Sequence, residues 1–265
     1  MIAPVVDLAW LQAHPDVVVA DVRHYLDGRS GAEAYAHGHL PGAVFVAMDD
    51  VLADPPTPER GRHPLPDPQR FAGGLAAVGI GEDSTVVAYD DAGGAMAGRL
   101  VWLLRVLGHD AALLDGGLGA YPGELTTVVP QPRPATFAVR DWPDEAFATI
   151  DEAADGGVVI DARAAERFRG EIEPIDPKAG HIPGARNFPL DGNLAADGRF
   201  LSVPELRARF AGIDDAARVI SYCGSGITAC HNLIALEYAG LGRARLYPGS
   251  WSQYSGTDRE VGTGR

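Results

Sequence analysis

Cysteine is scarce in this chain: Cys223 and Cys230 are the only two among 265 residues. Close together on one segment, they exclude the disulfide framework of a small secreted domain. With His231 they also lack a close chelating pair such as Cys-x-x-Cys, so no metal site is expected. Long hydrophobic runs are missing too, and no apolar stretch approaches the ~18 residues that a membrane-spanning helix needs. The amino terminus, Met1-Ile-Ala-Pro-Val-Val-Asp7, has no basic region of the secretory type. Positive charge is in deficit, with Lys+Arg 22 against Asp+Glu 36 and a net charge of −14. That balance argues against nucleic acid and anionic membrane surfaces as partners, although a local basic spot can still serve an anionic substrate. A cytoplasmic protein is expected.

What remains is the composition of an ordinary folded protein, 46% hydrophobic and 22% charged. The length suits two domains, each large enough for its own core. Internal similarity points the same way. Val17-Val-Val-Ala-Asp21-Val-Arg23 is followed by His39-Leu-Pro-Gly-Ala43, and Gly157-Val-Val-Ile-Asp161-Ala-Arg163 by His181-Ile-Pro-Gly-Ala185. Thr85-Val-Val-Ala-Tyr89-Asp90 matches Arg218-Val-Ile-Ser-Tyr222-Cys223, and Gly116 to Tyr121 matches Gly249 to Tyr254. A duplication is the simplest account.

Asp90 therefore takes in the first copy the place that Cys223 takes in the second, so only one half can do thiol chemistry. The residues divide into a first domain over 1–125, a linker over 126–147 and a second domain over 148–265. The linker shows no clear periodicity and carries Pro130, Pro132, Pro134 and Pro143. Within each half, short β-prone runs alternate with helical patterns, for instance a strand at Val86 to Tyr89 and a helix at Gly98 to Leu107. This is an α/β chain with parallel sheets flanked by helices on both faces.

Asp21 with Arg23, and Asp161 with Arg163, recur in both halves, including the one without a cysteine, which reads as structural pairing at a strand end. His39 and His181 recur likewise and read as turn-forming hydrogen bonders rather than bases.

Cys223 sits where a strand hands over to a helix. Val219, Ile220 and Tyr222 form the β-prone run, Gly224 and Gly226 break it, and Ile227 to Ala239 has apolar residues at helical spacing up to Gly240. The amides of a glycine-rich turn and the positive end of a helix both favour an anion, here a thiolate. The bland alternative, a small buried hydrophobe, leaves the flanking glycines without a purpose. Such a loop can also hold a second sulfur as a persulfide. Cys230, further along the same helix, reads as packing, with a redox switch as its other possible role.

Over essentially the whole chain the pattern resembles the two-domain rhodanese family of sulfurtransferases. The resemblance rests on His37-Gly-His-Leu-Pro-Gly-Ala43, Asp161-Ala-Arg163, Arg167-Phe-Arg169-Gly170, Gly180-His-Ile-Pro-Gly-Ala185, the Cys223 loop and Tyr247-Pro-Gly-Ser-Trp251. It implies two tandem rhodanese-like domains and a Cys223 nucleophile. Cys223-Gly-Ser-Gly-Ile-Thr228 is similar to the loop of the family's 3-mercaptopyruvate sulfurtransferases rather than to the basic loop of its thiosulfate enzymes. Gly224, Gly226, Ile227 and Thr228 would then line the substrate. The resemblance also implies that Arg169 binds the donor's carboxylate, with Lys178 and Arg99 as candidates for a second contact. An Asp-His-Ser relay would fall on Asp49, His63 and Ser225.

The implied reaction is ping-pong transfer of sulfur from 3-mercaptopyruvate to a thiol such as thioredoxin, or to cyanide, with no cofactor. Three alternatives stand beside it. Thiosulfate:cyanide sulfurtransferase would use the same nucleophile. A dual-specificity type of phosphatase would want an Arg closing the loop, where Ala229, Cys230 and His231 stand. A non-catalytic binding module would carry no persulfide.

Overall fold

Both halves begin from the same arithmetic. Short runs of Val, Ile and Ala with no polar alternation suit strands covered on both faces, as parallel sheets require. The computed structural model describes residues 1–264, and they divide into two compact units. The first comprises Met1–Asp54, Pro66–Trp142 and Ala195–Phe200. The second comprises Pro55–Leu65, Pro143–Leu194 and the residues from Leu201 onward.

In the first unit five parallel strands, β1 (Val5–Val6), β2 (Val18–Asp21), β3 (Val44–Phe45), β4 (Val86–Tyr89) and β5 (Ala111–Leu114), lie in the order β1-β5-β4-β2-β3. In the second, β6 (Val158–Asp161), β7 (Arg186–Asn187), β8 (Val219–Tyr222) and β9 (Arg245–Leu246) lie in the order β7-β6-β8-β9. The two orders superpose strand for strand once β1 is set aside, and the single parallel bridge of Phe147 to Leu246 stands where β1 pairs with β5. The central strands β4 and β8 are buried along their whole length. Each leads through a loop into a helix, Ala97–Val106 in the first unit and Ala229–Tyr238 in the second.

The repeated Asp-Arg pairs close the ends of β2 and β6. Arg23 Nη2 donates to Asp21 Oδ2 at 2.7 Å and to the Gly38 carbonyl at 2.7 Å. Arg163 Nη2 makes the same two bonds to Asp161, at 2.7 Å, and Gly180, at 2.6 Å. These charges are buried, and each is paired and hydrogen-bonded as burial demands. His39 and His181 likewise brace turns: their Nδ1 atoms donate to the carbonyls of Tyr35, at 2.8 Å, and Phe168, at 2.7 Å.

The residues expected as a linker belong to the first unit up to Trp142 and to the second from Pro143. Apart from the short helical turn Asp144–Ala146, residues 126–147 contain no helix or strand. Among the described residues no helix is long and apolar enough to cross a membrane.

Candidate active site

The nucleophile candidate follows directly from β8. The strand ends at Tyr222, Cys223 is the first residue beyond it, and Gly226 takes a φ of 79° that a side chain would strain. This turn folds the loop back, so that the Gly226 amide donates to Cys223 Sγ at 3.1 Å. Thr228 precedes the helix Ala229–Tyr238 without a side-chain cap bond, and the helix starts two residues later than the apolar spacing from Ile227 suggests. The positive end of that helix begins at this loop. Cys223, Gly224, Ser225, Gly226 and Ile227 are all buried, and Thr228 is half-buried.

A second loop grips the first from behind. The amides of Trp251 and Ser252 donate to the carbonyls of Cys223, at 3.0 Å, and Gly224, at 2.8 Å. The Cys223 amide in turn donates to Ser250 Oγ at 3.2 Å. Ser250 has a φ of 52°, the one positive value at a non-glycine among the described residues. In the first unit the matching position is Gly117, with φ 53°. Serine accepts this backbone strain where glycine would relieve it, and the hydroxyl is what the strain secures.

Asp90 shows what such a loop selects. Its Oδ1 accepts from the amides of Ala92 and Gly94, both at 2.8 Å, and its Oδ2 from those of Met96, at 2.7 Å, and Ala97, at 2.8 Å. Complete burial pushes this carboxyl up and prevails, although four converging N–H groups act against it. The strand-to-helix loop of the first unit is thus a cradle of four N–H donors filled by its own side chain.

Two members of the expected relay lie within the second unit. His63 Nδ1 lies 2.8 Å from Ser225 Oγ, both side chains being buried. His63 arrives on Pro55–Leu65, which lies in sequence between β3 and β4 of the first sheet yet belongs to the second unit. The Arg62 amide donates to Ser252 Oγ at 3.1 Å, and Gln253 Nε2 to the Glu59 carbonyl at 2.5 Å. Asp49 belongs to the first unit, where its largely exposed carboxylate faces His24 Nδ1 at 3.9 Å.

Arg169, expected at the donor, is elsewhere. Its Nε and Nη2 donate to the two oxygens of Glu171, at 2.6 and 2.8 Å, at the surface. The reason is helical geometry: Arg167 and Arg169 stand two apart at the end of the helix Ala165–Phe168, and residues so spaced do not share a face. Neither further candidate replaces it. The Lys178 amine donates to the Thr257 carbonyl, and Arg99 is buried in the first unit, its Nε 3.3 Å from the Leu52 carbonyl.

The guanidiniums that do border the loop are Arg62 and Arg167. Their nearest nitrogens lie 3.0 and 3.6 Å from where a Cβ on Gly224 would stand. Both are held by carboxylates that are almost wholly buried. Arg167 donates to Glu173 Oε1 at 2.5 Å and to Asp176 Oδ2 at 3.3 Å, and Arg62 donates to Asp176 Oδ1. Burial opposes the charge on both acids. In Asp176 it prevails and the carboxyl is pushed up; in Glu173 the bonds from Arg167 and from the Asp176 and Ile175 amides prevail and hold it low. Sequence reading missed Arg62, Asp176 and Glu173, and it quoted Arg167 without giving it this place.

The comparisons with known proteins agree with this architecture. The family profile described as Rhodanese-like domain matches residues 6–123 and again 144–257. The chain belongs to that family. A Pseudomonas aeruginosa protein named "Probable 3-mercaptopyruvate sulfurtransferase" is 45% identical over 276 residues, covering 97% of this chain and 96% of the relative. A Mycobacterium tuberculosis protein named "Putative thiosulfate sulfurtransferase SseB" is 42% identical, covering 96% and 93%. Among solved structures, the 3-mercaptopyruvate sulfurtransferase from Leishmania major has a TM-score of 0.85 at 33% identity, covering 95% of this chain and 74% of that one.

Proposed function

We propose that the protein is a sulfurtransferase that moves a sulfane sulfur from 3-mercaptopyruvate to a thiol or cyanide through a persulfide on Cys223. One observation carries this reading: Cys223 Sγ lies in a glycine loop with the Gly226 amide directed at it at 3.1 Å. The relatives' names support the reaction class.

The Cys223 thiolate attacks the donor's sulfur, forming the S–S bond as the C–S bond breaks. The electron pair of that bond leaves with the three-carbon fragment as the enolate of pyruvate. The proton that the donor's thiol carried ends on the enolate carbon, and the enzyme keeps Cys–S–S⁻. Ser225 and His63, 2.8 Å apart, are placed to pass that proton. Sequence reading adds Asp49 to this relay, and kcat of Asp49→Asn tests the addition. The acceptor then attacks the outer sulfur and frees the thiolate; cyanide leaves as thiocyanate, while a dithiol such as reduced thioredoxin can carry the sulfur off as sulfide. The sum is redox-neutral with cyanide and needs no cofactor.

The Asp90 loop supports the persulfide. A carboxylate carries its charge one bond beyond Cγ, as a persulfide carries it one bond beyond Sγ, and the first-unit loop holds such an anion with four amides. A reducing, cytoplasmic setting belongs to the same proposal, supported by two cysteines that stay free.

A second reading, thiosulfate as donor, is favoured by the two guanidiniums beside Gly224. The test is kcat/KM for both donors on one preparation, with mass spectrometry of Cys223 after donor treatment. Preference for 3-mercaptopyruvate and one added sulfur on Cys223 are expected. Preference for thiosulfate selects the second reading, and no added sulfur with either donor refutes both.

A further inference from the structure

The nitrogens of Arg62 and Arg167 that face Gly224 are spare. Arg62 spends Nη1 on Asp176, and Arg167 spends Nε and Nη2 on Glu173 and Asp176. Arg62 Nη2 and Arg167 Nη1 have no hydrogen-bond acceptor among the described residues. They approach one point, the residue after the nucleophile, to 3.0 and 3.6 Å. Two N–H-bearing edges from two guanidiniums suit the two oxygens of one carboxylate.

We propose that Arg62 is a specificity-determining residue that binds the anionic end of the sulfur donor beside Arg167, and that Asp176 is the positioning residue that fixes it there. The inference rests on the sulfurtransferase reading. Three features make Arg62 a built part of the site. Its amide bonds Ser252 Oγ at 3.1 Å, while the Ser252 amide bonds the Gly224 carbonyl at 2.8 Å, so backbone and loop are tied through one residue. A Cβ on the preceding Gly61 would come within 2.6 Å of the Gly249 carbonyl, so this strand of chain seats closely against the bracing loop. The Asp176 side chain is only 3% exposed and bridges both arginines, which sets their spacing.

The charge balance explains why carboxylate is the fitting ligand. Glu173 and Asp176 neutralise the pair from behind, so a monoanion meets two directed donors without a large excess of positive field. A donor whose charge lies on a carboxylate away from its sulfur can then place that sulfur on Cys223 while the carboxylate stays on the pair.

The experiment is steady-state kinetics on Arg62→Ala, Arg62→Lys, Asp176→Asn and the double variant Arg62→Ala/Asp176→Asn. 3-Mercaptopyruvate and thiosulfate serve as donors, and the discharge of preformed Cys223 persulfide by dithiothreitol is timed separately. Arg62→Ala should raise KM for 3-mercaptopyruvate about tenfold or more, and Arg62→Lys should recover part of the loss. Discharge by dithiothreitol should stay within about twofold. Asp176→Asn should raise KM more than it lowers kcat, and the double variant should lose less than the product of the two single losses, the remainder acting through Arg167. If only thiosulfate KM responds, the pair serves that dianion and the carboxylate assignment is overturned. An unchanged KM for both donors in Arg62→Ala overturns the inference while leaving the enzyme reading intact. Failure of the unaltered protein to load sulfur on Cys223 overturns that reading, and this inference with it.

Discussion

Ser250 holds the backbone of Cys223: its hydroxyl accepts the Cys223 amide at 3.2 Å while its main chain stays at a φ of 52°. The hydroxyl also donates to the Tyr247 carbonyl at 2.9 Å, so it bonds on both sides. Two substitutions separate strain from bonding. Ser250→Ala keeps the strained backbone and leaves the buried Cys223 amide without its partner, a loss of about 1–3 kcal/mol. Ser250→Gly relieves the strain and should melt at a temperature nearer the parent's, yet turn over as slowly as the alanine variant. Equal activity in parent and Ser250→Gly would show that the loop keeps its shape without this bond.

The repeated loops allow an exchange of anions. Cys223→Asp puts a carboxylate where the first unit carries Asp90, and the expected product is an inactive protein that melts no lower than Cys223→Ser. A marked drop in melting temperature relative to Cys223→Ser would mean that the second loop is not built for a resident anion.

The arginines two apart should behave differently. Arg167→Ala removes a guanidinium beside Gly224 and should raise donor KM about tenfold. Arg169→Ala cuts a surface pair to Glu171 that contributes about 1 kcal/mol or less, and KM should not move. A reversed pattern in the two KM values would return the donor to Arg169.

Acid should loosen the carboxylate cluster in a defined direction. Glu173 is held below its ordinary 4.5. A depressed carboxylate adds stability above its unfolded value and loses it as pH falls through the folded one. Urea midpoints of the parent and Glu173→Gln should therefore differ most near neutrality and converge in acid below about 4.5. A constant gap across that range would mean that Glu173 acts by shape rather than charge.

Local pattern carried much of this structure. The strand ends at Asp21 and Asp161 were legible because their arginine partners lie two residues on and the motif is repeated. The loop at Cys223 was legible because glycines interrupt a strand-to-helix handover. Arg167 and Arg169 were not distinguishable by pattern, since a helix of four residues gives no periodicity from which to phase its faces. Asp176 lay in a stretch without repeat. Arg62 depended on a tertiary fact, the packing of Pro55–Leu65 against Ser252 and Gln253.

That packing has a genetic consequence. The codons for His63 and Arg62 lie in the first copy of the duplication, but their side chains stand against the loop encoded in the second. A gene trimmed to its second copy would keep Cys223 and lose two of the groups around its loop.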